Sequence, residues 1–273
     1  MFNFLHTFEP SAILLTLGPI HIYWYGLFIV LGIIGALATS FILAKYYKVP
    51  NDKLFDLVFW LIIGGLIGAR IYDILLELPY YFNHPLQTLK IWQGGLAIHG
   101  AIIAGVIIIY IFSRREKFNF WRLFSLLAPG LALGQAIGRW GNYFNQELFG
   151  LPTNGPLGIP INILNRPEQY LAAPYFQPTF LYESLGCLLI FIILISLNYY
   201  YIKREQIERN CIWLAALYMV LYSILRFCLE FIKVDQTPII FNLRWPQIIS
   251  LIIFLIGIIL IFSPHAKKIK NNQ

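Results

Sequence analysis

The sequence predicts an all-α protein that crosses a membrane about seven times. Three observations predict this fold class: the composition, a series of long apolar runs, and the distribution of basic residues. Of the 273 residues, 59% are hydrophobic and 12% are charged, whereas a soluble domain carries about 25% charged residues. A net charge of +7 would suggest a nucleic-acid partner for a soluble protein. Here the basic residues lie between apolar runs, so we expect contact with membrane lipids and no nucleic-acid partner.

Seven runs are long enough for a spanning helix, which needs about 20 mostly apolar residues. They lie near residues 21–44, 55–77, 94–113, 121–138, 178–201, 211–232 and 246–263. The fourth run is the weakest because Pro129 and three glycines interrupt it, although neighbouring helices can satisfy the freed backbone groups. We predict one membrane domain over residues 1–273.

The basic residues predict the orientation of the chain. Thirteen Lys and Arg residues follow the first, third, fifth and seventh runs, and five lie in the other loops. Because cytoplasmic loops carry the excess of Lys and Arg, we expect the N-terminus outside the cytoplasm and the C-terminus inside it. The longest segment without a helical pattern, residues 139–177, then lies on the outer side. Its length and its Gly, Pro and Asn content predict a small extracytoplasmic lobe.

Ionisable residues within apolar runs are costly, so they indicate either function or tight pairing. Arg226 and Glu230 lie four residues apart and share a helix face. They form either a structural ion pair or an anion-binding arginine with its orienting carboxylate. For Arg70 and Asp73, three residues apart, a structural pair is the simpler interpretation. His99 is more simply a packed histidine, although its neighbouring glycines would allow close approach of a substrate.

The densest polar group lies at the outer end of the fourth run, in GRWGNYFNQELFG, residues 138–150. Arg139, two asparagines and Glu147 fall within nine residues of one another. Arginine offers two parallel donors to phosphate oxygens, asparagine adds neutral donors, and glutamate can hold the arginine. A polar turn would need no such set, so we expect a phosphate site. Glu183, at the start of the fifth run, is explained by the favourable interaction of a carboxylate with a helix N-terminus.

These motifs resemble the prolipoprotein diacylglyceryl transferase family. GRWGNYFNQELFG is similar to the family signature G-R-x-G-N-F-hydrophobic-N-x-E-x-x-G. Five further blocks occur in the family's order over nearly the full chain: HIYWYGLF, GGLIGARI, GGLAIHG, PTFLYES and RFCLEF. One block alone would carry little weight, but six in order are highly specific.

The resemblance implies a reaction and a location. The family transfers the diacylglyceryl group of phosphatidylglycerol to the lipobox cysteine thiol of prolipoproteins that carry a signal peptide. The products are a thioether-linked lipid and glycerol phosphate, and neither a metal nor an organic cofactor is expected. The implied location is the bacterial cytoplasmic (inner) membrane, with the active site toward the outer face.

The resemblance also implies site residues. Arg139 and Arg226 match the family's two essential arginines, His99 matches the histidine proposed as base, and Tyr25 matches the first-helix tyrosine, so these four are predicted to be catalytic. The residues predicted to bind phosphatidylglycerol are Arg139, Asn142, Glu147, Gly150, Arg226 and Glu230.

The chain departs from the family pattern at three places. Gln177 stands where the family usually has histidine, so a base at that position is not available here. Asp73 stands where tyrosine is common. Residues 245–247, Trp-Pro-Gln, replace the more usual Met-Gly-Gln, and we expect local repacking there.

Two other function classes fit part of the pattern. A membrane transporter would also carry intramembrane Arg and Glu residues, but it predicts inverted repeats and a polar path across the whole membrane. No convincing repeat is visible, and the charged motifs cluster toward the outer half. Another phospholipid-headgroup transferase, of the CDP-alcohol type, would need a cluster of Asp residues for metal, which this sequence lacks.

Overall fold

The computed structural model describes residues 2–263. Within this range, seven α-helices are long and apolar enough to cross a membrane, which confirms the predicted fold class of a multi-pass membrane protein. The α-helices are α1 (Phe2–Thr7), α2 (Trp24–Ala44), α3 (Asn51–Leu76), α4 (Leu78–Asn83), α5 (Ile98–Arg115), α6 (Phe120–Phe144), α7 (Thr179–Lys203), α8 (Cys211–Leu229) and α9 (Trp245–Phe262). The inside or outside location of the termini stays a prediction. Three of the basic residues used for it, Lys267, Lys268 and Lys270, lie outside the described residues.

The spanning helices depart from the predicted runs by three or more residues at five ends. The second starts four residues early, at Asn51, and the sixth ends three residues early, at Leu229. The first starts at Trp24 because strands β1 (Ile13–Leu17) and β2 (Ile20–Tyr23) form an antiparallel hairpin before it. The third starts at Ile98 because Gly94 and Gly95 have φ angles of +97° and +73°, which an α-helix cannot contain. The fourth continues six residues beyond the predicted end at residue 138, to Phe144. The first half of the GRWGNYFNQELFG motif is therefore helical.

The chain forms two compact units. The first unit comprises residues 2–40 and 127–263, and the second comprises residues 41–126. The prediction of one membrane domain stays a prediction.

In the first unit, α2 and α6 approach each other backbone to backbone. A Cβ atom added to Gly32 would lie 2.9 Å from the carbonyl oxygen of Gly134, and one added to Gly130 would lie 2.6 Å from that of Ala36. Small residues allow such close packing where lipid supplies no hydrophobic driving force between helices. This contact fixes the helix that carries Arg139.

Residues 145–178 form a small lobe that shares an apolar core with α1, the end of α6 and the start of α7. Its strands β3 (Ile159–Pro160) and β4 (Tyr175–Phe176) pair antiparallel. The side chain of Gln146 holds the lobe to the N-terminal segment, because its amide nitrogen donates to the Pro10 carbonyl at 2.7 Å and its oxygen accepts from the backbone N–H of Asn162 at 2.6 Å. The buried core consists of Leu5, Tyr143, Phe149, Ile159, Ile161, Phe176, Phe180 and Leu181. The extracytoplasmic location of the lobe stays a prediction.

A second short hairpin precedes α9. Strands β5 (Ile239–Ile240) and β6 (Leu243–Arg244) pair antiparallel. Phe241 and Asn242 both have positive φ angles, +52° and +61°, as a two-residue type I′ turn requires. This turn reverses the chain and returns Arg244 to the residues that follow α8.

In the second unit, α3 and α5 pack through glycines. A Cβ atom on Gly100 would overlap the carbonyl group of Gly68. Between these helices the chain forms α4 and two 3₁₀ turns, Pro85–Leu89 and Ile91–Gln93. Arg70 of α3 is buried and donates from Nε to the Thr88 carbonyl at 3.0 Å. The connection between the helices is thus held by a charged group within the unit.

Candidate active site

The carboxylate of Glu183 is the centre of the polar cluster in the first unit. Glu183 is the fifth residue of α7, and its side chain is 1% exposed. Its oxygens lie 2.8 Å from Arg139 Nη2 in an ion pair, and they accept hydrogen bonds from Arg226 Nη1 at 3.1 Å and from Lys233 Nζ at 3.3 Å. A buried carboxylate is tolerable only when it is paired and hydrogen-bonded. Three cations on one carboxylate leave a formal net charge of +2.

A second buried carboxylate, Glu230, supports Arg226 from the other side. Its Oε2 lies 3.3 Å from Arg226 Nη2, so the contact predicted from the four-residue spacing is confirmed. Its Oε1 lies 3.3 Å from Arg244 Nε. The guanidinium of Arg226 is therefore held between two carboxylates, and Glu230 is balanced by a cation of its own.

Arg139 is held at both ends of its guanidinium. Nη2 binds Glu183, and Nη1 donates to the side-chain oxygen of Asn142 at 3.1 Å. The amide nitrogen of Asn142 donates in turn to Glu147 Oε1 at 2.6 Å. Glu147 therefore acts on Arg139 through Asn142, whereas the sequence had suggested that it could hold the arginine directly.

The turn after α6 returns Glu147 to the helix. Gln146 and Leu148 both have positive φ angles, +51° and +53°. Residues other than glycine seldom adopt such angles, and where they do, the position is often part of a functional site. The backbone N–H of Glu147 donates to the Asn142 carbonyl at 3.0 Å. The second half of the motif thus folds back onto the first.

The two arginines are more accessible than the carboxylates that hold them. The side chains of Arg139 and Arg226 are 22% and 19% exposed, against 1% for Glu183 and 0% for Glu230. Buried carboxylates behind partly accessible arginine side chains are an arrangement that can bind an anion, because each guanidinium has five N–H donors.

Lys233 adds a third positive charge and lies just beyond the end of α8. Burial holds the pKa of its ammonium group below the usual range, and Glu183 partly offsets that shift. Its backbone bridges to Gly150. A Cβ atom on Gly150 would lie 3.0 Å from the Ile232 carbonyl oxygen, so glycine is needed for this close approach. Gly150 therefore contributes through its backbone, by holding the segment that carries Lys233.

Tyr25 lies in the first turn of α2, and its side chain is exposed. It packs against Gly141, where an added Cβ would lie 2.7 Å from the tyrosine ring. The charged groups that interact electrostatically with its hydroxyl are Glu147 and Arg139. The first unit therefore brings together seven of the eight predicted site residues: Tyr25, Arg139, Asn142, Glu147, Gly150, Arg226 and Glu230.

His99, the eighth, belongs to the second unit. It lies in the first turn of α5, is half-buried, and its ring centroid is 5.9 Å from that of Tyr72. Gly94 and Gly95, just before this turn, accept hydrogen bonds from Arg70 Nη1 at 2.8 and 2.7 Å. Arg70 therefore fixes the segment from which His99 projects.

Comparison with known proteins identifies the family. Residues 12–263 match the family model described as prolipoprotein diacylglyceryl transferase. The chain belongs to this family. Among similar proteins, one from a Nostoc species is 42% identical over 244 residues, which cover 89% of this chain and 85% of that protein. One from Acaryochloris marina is 42% identical over 251 residues, covering 92% and 89%. One from a Synechocystis species is 40% identical over 250 residues, covering 91% and 87%. All three are named phosphatidylglycerol–prolipoprotein diacylglyceryl transferase.

Membership of the prolipoprotein diacylglyceryl transferase family confirms the resemblance drawn from the motifs, and the geometry adds residues that the sequence interpretation missed. Glu183 was explained by the helix N-terminus alone, yet it binds three basic groups. Lys233 and Arg244 had counted only as basic loop residues. The sole sequence signal for Glu183 was its place in the PTFLYES block, since its partners lie far away along the chain.

The departures from the family pattern have structural consequences. Gln177 contributes backbone groups here: its carbonyl accepts from the N–H of Gly150 at 2.9 Å. Asp73 accepts a hydrogen bond from the Tyr81 hydroxyl at 2.7 Å and lies 3.6 Å from Arg70. This hydrogen bond raises the pKa of Tyr81. Among residues 2–263, no group of three or more His, Cys, Asp or Glu side chains is placed to hold a metal ion.

Proposed function

We propose that Arg139 and Arg226 bind the phosphate of phosphatidylglycerol while its diacylglyceryl group is transferred to the lipobox cysteine of a prolipoprotein. The observation that carries this assignment is the convergence of both guanidinium groups on the buried Glu183, with Lys233 beside them. The excess positive charge and the partial exposure of both arginines suit an anionic headgroup.

The charge change in the reaction explains why two arginines are needed. The thiolate sulfur attacks the diacylglyceryl carbon that bears the phosphate oxygen, a C–S bond forms, and the C–O bond breaks. The bonding electrons leave with glycerol phosphate, whose phosphate changes from a monoanionic diester to a monoester of higher negative charge. Cations fixed where this charge develops stabilise the transition state more than the ground state. Arg139 and Arg226 hold that position because the carboxylates behind them cannot move away without leaving buried charges unpaired.

The cysteine thiol must lose its proton. A free cysteine has a pKa of about 8.5, so only a few per cent is thiolate near neutrality. His99 is the proposed base, and Tyr25 and Asn142 shape the headgroup pocket. Glu147 orients Asn142, and Glu230 orients Arg226.

An apolar cleft in the first unit supports entry of the lipid from the side. The cleft lies among α2, α6 and α7. Two of its lining residues directly follow members of the polar cluster in the sequence: Trp140 follows Arg139, and Ser184 follows Glu183. Such a cleft suits an acyl chain whose headgroup reaches the arginines. Its lining residues are Phe28, Leu133, Ala136, Ile137, Trp140, Ser184 and Leu188.

The helix ends favour an active site at the outer face. Arg139 lies near the end of α6, Glu183 at the start of α7 and Arg226 near the end of α8. These three ends lie on one side of the membrane if successive spans alternate. The excess of basic residues in the opposite loops assigns that side to the outside of the cytoplasmic membrane of a bacterium.

The test is turnover by the purified protein with phosphatidylglycerol and a lipobox peptide, followed by peptide mass and glycerol phosphate release. We expect a diacylglyceryl mass gain that requires the peptide cysteine. We expect Arg139→Ala to abolish it and Arg226→Lys to lower kcat/KM by about tenfold or more, because a point charge lacks the two-pronged donor geometry.

The matched control is Arg204→Ala, which removes an exposed arginine just after the other end of α7 and should leave turnover unchanged. If Arg226→Lys has wild-type kcat/KM, Arg226 does not bind the phosphate through two parallel donors. No mass gain with a folded wild-type protein would favour another headgroup transferase or a transporter.

A further inference from the structure

Arg244 closes the segment that joins α8 to the hairpin before α9. Nη1 donates to the carbonyls of Glu230 and Lys233 at 2.9 and 2.7 Å. Nε donates to Thr237 Oγ1 at 2.9 Å, and Nη2 donates to the Asp235 carbonyl and lies 3.3 Å from the Asp235 carboxylate. Every nitrogen of the guanidinium is therefore engaged within the protein, so this side chain does not supply free donors to a substrate.

Two of these contacts fall on residues that hold the arginine site. Glu230 reaches Arg226, and Lys233 reaches Glu183. By binding both carbonyls at once, Arg244 fixes the backbone turn from which the two side chains project. A shift of this turn would move Glu230 relative to Arg226 and Lys233 relative to Glu183.

Arg244 also balances the charge of Glu230. The Glu230 side chain is fully buried, and its Oε1 accepts no hydrogen bond from any described residue. The cation nearest that oxygen is Arg244, whose Nε lies 3.3 Å away. Without Arg244, the whole carboxylate charge would act on Arg226. That would pull its guanidinium toward Glu230 and weaken its field at a bound anion.

The sequence around Arg244 fits this purpose. The Gln247 side-chain oxygen accepts from the backbone N–H of Arg244 at 3.0 Å, and Pro246 occupies the first turn of α9. Both belong to the Trp-Pro-Gln segment that departs from the family's usual Met-Gly-Gln. The glutamine is shared with the family's usual segment and the proline replaces its glycine, so a retained residue and a departure together fix the backbone of Arg244 at the start of the helix.

We propose that Arg244 is a positioning residue for Arg226, acting through Glu230. The inference rests on the phosphate-binding role given to Arg226 above. It concerns a residue that touches neither substrate nor reacting atoms.

A double-mutant cycle on kcat/KM for phosphatidylglycerol tests it, with Arg244→Gln, Glu230→Gln and the double variant. Arg244→Gln should lower kcat/KM by about tenfold, which is within the coupling usual for members of one salt-bridge network. In the Glu230→Gln background the same change should cost less than about threefold, because the charge through which Arg244 acts is gone. If the loss of kcat/KM in the double variant equals the product of the two single-variant losses, the proposal is overturned.

Arg244→Lys separates charge from backbone support and covers the case in which Arg244→Gln fails to fold. It keeps a cation beside Glu230 and loses the carbonyl contacts, so it should recover most of the lost kcat/KM. A lysine variant that folds but is no better than Arg244→Gln would contradict action through Glu230. Where Arg244→Gln does not fold, the lysine variant is compared with wild type, and a loss of tenfold or more contradicts the proposal.

Arg166→Gln is the matched control. Arg166 also donates to two backbone carbonyls of the first unit, those of Ile161 and Leu171, at 2.8 and 2.9 Å, but it lies in the lobe without an ion pair to Glu183 or Glu230 among the described contacts. Its loss should leave kcat/KM per folded molecule unchanged. If Arg166→Gln lowers kcat/KM as much as Arg244→Gln does, the Arg244 effect is a general structural one and the proposal is overturned. Arg226→Ala, measured in parallel, tests the underlying function: wild-type kinetics there would remove the phosphate site itself.

Discussion

At the scale of single residues, Glu183 holds more of the site together than any other side chain described. It is buried and contacts Arg139, Arg226 and Lys233. Removing one partner from a buried ionic network leaves uncompensated charge, which costs far more than the intact network contributes. Its loss should therefore affect stability as well as turnover.

We expect Glu183→Gln to lower the free energy of unfolding by about 3–5 kcal/mol, because three cations lose their shared anion. The measurement is denaturant unfolding in detergent micelles. Glu168→Gln, which removes an exposed carboxylate of the lobe, is the control and should change stability by less than about 0.5 kcal/mol. Equal losses in the two variants would show that the cluster is not held by Glu183.

The sequence could predict the members of this site better than their pairing. Arg226 and Glu230 are four residues apart on one helix, so their contact follows from helical geometry, and the structure confirms it. Arg139 and Glu183 lie on different helices, and Lys233 is 50 residues from Glu183. No local period relates such positions; only the packing of α6, α7 and α8 brings them together.

At the scale of secondary structure, the apolar runs predicted the helices well because a membrane core demands about 20 apolar residues of every span. The ends were harder to predict. Residues 13–23 are apolar yet form a hairpin, because Gly18, with a φ angle of +58°, lies between β1 and β2. Hydrophobicity alone does not separate a short apolar strand from the start of a helix.

Within the second unit, the Arg70 side chain binds several groups at once, as the Glu183 side chain does in the first unit. Asp73 had been paired with Arg70 from spacing and lies 3.6 Å away. The closer partners of Arg70 are carbonyls of residues 87–95, among them those of Thr88, Gly94 and Gly95 at 3.0, 2.8 and 2.7 Å. The sequence could not indicate them, because every residue has a carbonyl and composition does not mark which ones turn inward.

We expect Arg70→Lys to speed amide hydrogen exchange across residues 85–97 by about tenfold or more, because each hydrogen bond to a charged group contributes ~1.5–3 kcal/mol and a single ammonium cannot reach all the carbonyls. Exchange followed by mass spectrometry gives the measurement. Arg115→Lys, at a side chain that is 78% exposed, should leave exchange in that segment unchanged. If exchange in the Arg70 variant matches wild type, this arginine does not hold the segment.

At the scale of the whole molecule, the orientation in the membrane is the prediction with the widest consequence. It rests on thirteen basic residues in one set of loops against five in the other, and on the rule that the cytoplasmic side carries the excess. It places the lobe, the helix ends that carry Arg139, Glu183 and Arg226, and therefore the proposed lipid site outside the cytoplasm.

Single introduced cysteines test that orientation. The background should be Cys228→Ser, because Cys228 is exposed whereas Cys187 and Cys211 are buried. In intact cells whose outer surface is accessible, a membrane-impermeant maleimide should label Asn154→Cys, in the lobe, and spare Glu205→Cys, in the loop after α7. Both positions are exposed, so a difference reports the side of the membrane. The reverse pattern would put the arginine site on the cytoplasmic face, where it could not meet a precursor cysteine already carried across the membrane.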